Sequence, residues 1–173
     1  MKVVVEDWDG GYNVFRVLNT RGKSPNTHDI IKTDLLENAK LTPEEADKFS
    51  REWSEHESRL GGSGIDDLLN QISTLYARKA KKGASEFRKA GINKTSGGAR
   101  QFLSTELPAY VDAYVTISTG KGSFGNMTDQ VNECLNHLRL IAHQLWRAPA
   151  LKFLVNHNGS PENAFVFFKR LER

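Results

Sequence analysis

Apolar residues recur at intervals of three and four along most of the chain, the spacing that puts them on one face of a helix. The pattern predicts a helix over residues 12–19, with Val14, Phe15, Val17 and Leu18 on its stripe and Gly22 as its C-cap. A second runs over 28–38 with Ile30, Ile31, Leu35 and Leu36 inward. Thr42-Pro43-Glu44-Glu45 predicts a helix start: a capping hydroxyl, a proline at the first helical position and a glutamate three residues after the cap. Ala46, Phe49, Trp53 and Leu60 follow on one face, and Gly61-Gly62-Ser63-Gly64 breaks the chain. Ile65, Leu68, Leu69, Ile72, Leu75 and Tyr76 form the next stripe, and residues 93–98 predict a polar loop. Thr105 is expected to cap a helix that takes Pro108 in its first turn and points Leu107, Tyr110, Val111, Tyr114 and Ile117 inward. Residues 119–126, with three glycines, predict a flexible connection. Val131, Cys134, Leu135, Leu138, Ile141, Ala142 and Leu145 make the most regular stripe. Pro149 restarts a short helix. Ser160-Pro161-Glu162 opens the last one, carrying Phe165, Phe168 and Leu171, with Lys169, Arg170 and Arg173 at the negative end of its dipole. Val3 to Val5, ended by acids and Gly10-Gly11, departs from this rhythm and reads as a strand that needs a partner sheet. The fold expected is mainly α, a multi-helix bundle with a short N-terminal extended segment or strand.

At 173 residues the chain fits one domain, or one domain of something longer. No window approaches the uninterrupted apolar run of about 20 residues that a membrane helix needs. The N-terminus has too short an apolar region for a secretory signal. A single cysteine, Cys134, excludes an internal disulfide framework, suits a reducing compartment and is expected to pack as a small hydrophobe. These features together predict a cytoplasmic protein.

The formal net charge of +3 conceals an uneven distribution. From Glu37 to Asp67 nine acids face four bases, a balance of −5. From Arg78 to Arg100 eight bases, namely Arg78, Lys79, Lys81, Lys82, Arg88, Lys89, Lys94 and Arg100, face only Glu86, a balance of +7. Such a local excess is the footprint of a phosphate-backbone contact. A solvated helix end and loop explains the same residues, because the segment lacks interleaved aromatics for base stacking. A second candidate is the loop Thr20-Arg21-Gly22-Lys23-Ser24, which places two cations and hydroxyl donors just before the amides of a helix N-terminus. A glycine cap followed by Ser24-Pro25 as cap and first helical residue accounts for those letters structurally. Cys134, His137 and His143 match no tetrahedral metal spacing, and His28, His56 and His157 are isolated in sequence. Glu6, Asp7 and Asp9 fit a solvated turn better than a magnesium site. No G-x-S-x-G or other local nucleophile signature occurs. No metal centre and no catalytic residue is expected.

The stretch "VVVEDWDGGYNVFRVLNTRGKSPNTHDIIKTDLL" resembles the pattern F-E-x-L-N-x-R-G-x-x-L-x-x-x-D-L-I-K, preceded by a valine-rich strand and acidic turn. That pattern belongs to the domain of unknown function at the front of GmrSD-type restriction proteins, which include BrxU- and SspE-like phage-defence enzymes. "WSEHESRL", "IDDLLNQISTLYARKAKKGASEFRK", "ELPAYVDAYVTI", "LNHLRLIAHQLWRAPALKFLV" and "FVFFKRLER" resemble, in order, the helical part of the same proteins. Phe15, Leu18, Asn19, Arg21, Gly22, Asp29, Ile31 and Lys32 stand on the motif, whereas Arg16 replaces an acid and Pro25 a leucine. The D-G-Q-Q-R motif of the family's ParB/sulfiredoxin-like domain and its HNH nuclease are absent from these residues.

The resemblance implies one helical domain over 1–173, a fragment of a larger protein, with 1–40 a remnant of the ParB/sulfiredoxin-like edge and 41–173 a bundle. It implies that Asn19, Arg21, Gly22, Lys23 and Lys32 touch nucleotide or DNA phosphate, while the local charge excess makes Arg78, Lys79, Lys81, Lys82, Arg88 and Lys89 the candidates for a DNA-backbone contact. Partners would be DNA and the missing nuclease domains or a partner subunit, without a membrane. NTP and Mg²⁺ belong to full-length family members, and no cofactor is expected for this chain. The expected function is a non-catalytic helical portion of a modification-dependent restriction protein; the alternative is a structural or protein-interaction domain with no nucleic-acid role.

Overall fold

The computed structural model describes residues 26–77, 87, 97–157 and 159–172, and among them every regular element is helical. The N-terminal strand and the first predicted helix lie outside the described residues. In chain order the elements are α1 (Thr27–Asn38), α2 (Pro43–Leu60), α3 (Gly62–Ala77), α4 (Gly98–Gln101), a π-helical turn (Phe102–Glu106) and α5 (Leu107–Thr119). A 3₁₀ turn (Gly125–Met127), α6 (Thr128–Leu140), α7 (Arg147–Asn156) and α8 (Pro161–Leu171) complete it. The mainly α, multi-helix class read from the periodicity is the observed one.

The stripes explain the packing. Leu107, Tyr110, Val111, Tyr114 and Ile117 are all buried, so α5 turns a broad apolar face inward, and α2, α3, α6 and α7 lie against it. Around that axis α3 also touches α1, α2 and α7, α1 lies against α4, and α8 packs on α6. Leu35, Trp53, Ile65, Leu68, Ile72, Val111, Leu135 and Phe168 belong to one continuous buried cluster. Fully burying a side chain of this size contributes about 2 kcal/mol.

Local chemistry sets several boundaries. The Thr42 hydroxyl accepts from the Glu45 amide at 3.3 Å while the Glu45 carboxylate accepts from the Thr42 amide at 3.0 Å, so α2 starts where its capping box predicts. The four-residue break expected after Leu60 is a single residue. Gly61, at φ +71°, turns the chain, and Gly62 to Gly64 already form the first turn of α3. Gly120, at φ +69°, caps α5; a Cβ there would stand 2.2 Å from Asn136 Oδ1.

Four expectations are corrected. Thr105 is no N-cap, because the helix is continuous from Gly98 through a π turn in which the Leu107 amide bonds the Phe102 carbonyl. The wider turn relieves the clash that Pro108 would make with the carbonyl four residues before it. Ile30 is exposed, since Ile31, Leu35 and, in part, Leu36 are the side chains of its helix that pack on the core. The stripe of α6 stops at Leu140, and Ala142 and Leu145 face solvent, because Trp146 is buried and draws the chain back into α7. The connection before α6 is pinned: Asn132 bonds both the amide and the carbonyl of Gly122 at 2.9 and 3.2 Å, and Phe124 is buried.

Phe168 is fully buried between Phe124, Phe153 and Phe167. Phe168→Ala lowers unfolding stability by about 3–5 kcal/mol in urea titration. The Glu172 carboxyl is held down to about 2 by a hydrogen bond from Lys169 and a second from His137. A depressed carboxyl contributes stability that is complete above its ordinary value near 4.5 and is lost as pH falls toward 2. Glu172→Gln therefore flattens the acid limb of stability over that interval, measured by thermal unfolding against pH.

Candidate functional site

Most of the residues singled out by sequence, Asn19, Arg21, Gly22, Lys23, Arg78, Lys79, Lys81, Lys82, Arg88 and Lys89, lie outside the described residues, as does the loop at 20–24. Lys32 is described. It sits half-buried on α1 and makes no ion pair or hydrogen bond with another described side chain. What the structure does define is the frame of the basic segment. Helix α3 ends at Ala77, and α4, which packs on the helix that carries Lys32, begins at Gly98. Between these points Phe87 is 2% exposed and meets Phe102 edge-on at 5.5 Å, so one apolar anchor ties the middle of the segment to the core. Arg100 forms an ion pair with Glu45, closing the segment against the first turn of α2.

The fold also assembles two polar clusters from residues far apart in sequence. In the first, Asp67 of α3 accepts from Tyr114 of α5 at 2.9 Å and from Arg147 of α7 at 2.7 Å through the same oxygen. Gln71 approaches the other oxygen at 3.4 Å. Burial, and after it the Asp67 charge, push the Tyr114 hydroxyl up to about 12, so it stays a donor at neutral pH. Arg147 also lies over the Trp146 ring at 5.9 Å. Tyr114 and Arg147, with Ser118, His137 and Arg139, line a polar recess of about 560 Å³ beside the C-terminal end of α6. Arg139 is held there by the Thr119 carbonyl at 3.0 Å and Asn136 at 2.9 Å.

The second cluster surrounds His28, in the first turn of α1. Its Nδ1 lies 3.0 Å from Asp66 Oδ1 on α3, and its Nε2 lies 3.8 Å from both Asp29 Oδ1 and Glu57 Oε1. Asp29 also accepts from the Asn26 amide at 3.2 Å, and Glu57 accepts from the Trp53 indole at 2.7 Å. Isolated in sequence, this histidine is 8% exposed and central to three helices in space.

The ring nitrogens of His28 and His137 face carboxylates, not hydroxyls or thiols. Cys134 is buried in the core, and that burial raises its thiol above the usual value, so it remains protonated as a packing group. His56 is pushed down by burial, then by the nearby Arg59 charge, and its Nδ1 is buried with no hydrogen-bond partner. Sequence spacing carried no sign of either cluster, since His28 meets Glu57 and Asp66, and Asp67 meets Tyr114 and Arg147, across 29 to 80 residues. The one available signal was two adjacent acids, Asp66 and Asp67, set between the buried positions Ile65 and Leu68. Set against models of protein families, curated proteins and solved structures, the chain gives no match.

Asp67→Ala leaves a partly buried guanidinium and a tyrosine hydroxyl without their acceptor. It lowers stability by about 2 kcal/mol. Spectrophotometric titration of the variant shows Tyr114 ionising at lower pH than in the unaltered protein, since one of the two largest causes of its upward shift is gone.

Proposed function

We propose that this chain is a non-catalytic helical domain that contributes phosphate contacts to a nucleic acid within a bacterial phage-defence, modification-dependent restriction protein. The observation that carries the reading is the +7 balance between Arg78 and Arg100, a span whose described residues include Phe87, buried in the core, and Arg100, ion-paired with Glu45. A charged segment tethered to a rigid helical frame loses less entropy on meeting a phosphate backbone than a free tail does. The half-buried Lys32, with no carboxylate partner among the described residues, supports the same role from the neighbouring helix. The resemblance to GmrSD-type proteins supplies the narrower part: DNA as the nucleic acid, and NTP-dependent cleavage carried out by D-G-Q-Q-R and HNH modules that these residues do not contain.

A protein-interaction role is favoured by a different observation. Leu140 and Leu145 are 85% and 81% exposed and flank the turn between α6 and α7. Two large aliphatic side chains held in water beside one turn suit contact with another protein surface.

Salt separates the two. Duplex DNA bound through the basic segment loses affinity steeply as ionic strength rises. Joint substitution of Lys79, Lys81 and Lys82 by Gln lowers the slope of log K against log salt by up to about 3, measured by fluorescence anisotropy. Leu140→Ser with Leu145→Ser leaves that binding unchanged. Absence of DNA binding at low salt overturns the nucleic-acid reading.

A further inference from the structure

The geometry around His28 points to a divalent cation site, with His28 Nε2, Asp29 and Glu57 as protein ligands and a first-row metal ion as the ligand class. The three ligand atoms lie within 4.8 Å of one another, on α1 and α2. The Nε2 is 3.8 Å from each carboxylate oxygen. That separation is too long for a hydrogen bond, which holds N and O at about 2.7–3.2 Å. It is close to the spacing of two ligands on one ion, about 3.4 Å apart when each bond is near 2.1 Å and the angle tetrahedral.

The second, independent observation is the imidazole itself. His28 is 8% exposed, yet its Nε2 has no hydrogen-bond partner and aims between two carboxylates. Asp66 faces Nδ1, so Nε2 is the ring nitrogen turned to the gap between the Asp29 and Glu57 oxygens. A divalent cation in the gap offsets the charge of the two carboxylates that face it. The surrounding bonds are those that orient metal ligands: Asp66 fixes the tautomer of His28, the Trp53 indole positions the Glu57 carboxylate, and the Asn26 amide holds one Asp29 oxygen while the other faces the gap. One nitrogen with two carboxylates suits Zn²⁺ or Mn²⁺ better than the all-oxygen shells of Ca²⁺ and Mg²⁺. The half-exposed Asp29 side leaves room for water to complete the shell. The bound ion clips the first turn of α1 to α2, and it does so whether or not the chain binds nucleic acid.

The test uses the full chain stripped with a chelator and titrated with Zn²⁺ or Mn²⁺ alone, read by calorimetry and by thermal unfolding. One ion binds per chain and raises Tm. Asp29→Asn and Glu57→Gln keep the oxygens that the Asn26 amide and the Trp53 indole need, so the fold survives, while affinity falls at least tenfold and the Tm rise is lost. Asp66→Asn, which disturbs the orienting bond, weakens binding by roughly 10–100-fold. Glu55→Gln, exposed on the same helix, changes nothing. Absence of saturable binding of either ion up to about 1 mM, or affinity unchanged in both Asp29→Asn and Glu57→Gln, overturns the site.

Discussion

Burial of the broad apolar face of α5 is the constraint from which the rest of the bundle follows. A 13-residue helix with five large inward side chains cannot stand in water, and four other helices must each turn an apolar stripe toward it. Since each of those stripes covers only part of a helix surface, the remaining faces stay polar, and the charge asymmetry of the chain is displaced to the bundle's rim and its connections. The acid-rich stretch falls mainly on α2 and on Asp66 and Asp67 of α3, while the basic segment follows in sequence between α3 and α4.

The tight interior also dictates where polar chemistry can sit. Asp67 is placed at the meeting of α3, α5 and α7, where three apolar faces converge and a carboxylate requires partners. Tyr114 and Arg147 supply them, so the acid acts as a lock among helices rather than as a reactive group. The same logic holds His28. Packing of α1 against α3 and of α2 against both forces an imidazole into contact with carboxylates from all three helices, and the cluster inherits its geometry from apolar contacts next door, Trp53 foremost.

Tertiary packing wins over local preference at several points, and in each the cause is identifiable. Nothing in the letters from Leu140 to Trp146 stops a helix, yet α6 ends because Trp146 gains more by burial than the exposed turn loses. A π turn forms before Pro108 because Phe102 and Leu107 are both buried just ahead of a proline that a regular helix resists. The glycine-rich connection at 119–126 is stiffened by Asn132, a residue whose side chain no propensity rule would link to Gly122.

Periodicity, caps and glycines, all properties of neighbouring residues, were enough to determine that the described residues are mainly helical, where α2 and α8 begin, and which faces of α3 and α5 turn inward. Composition likewise agrees with the structure that no helix among the described residues is apolar and long enough to cross a membrane. The tertiary structure alone decided which distant groups meet: Asp67 with Arg147, His28 with Glu57 and Asp66, Arg100 with Glu45. The reason is physical. A stripe specifies that a face is buried but not which partner covers it, and polar side chains acquire chemistry only from the neighbours that such packing assigns them.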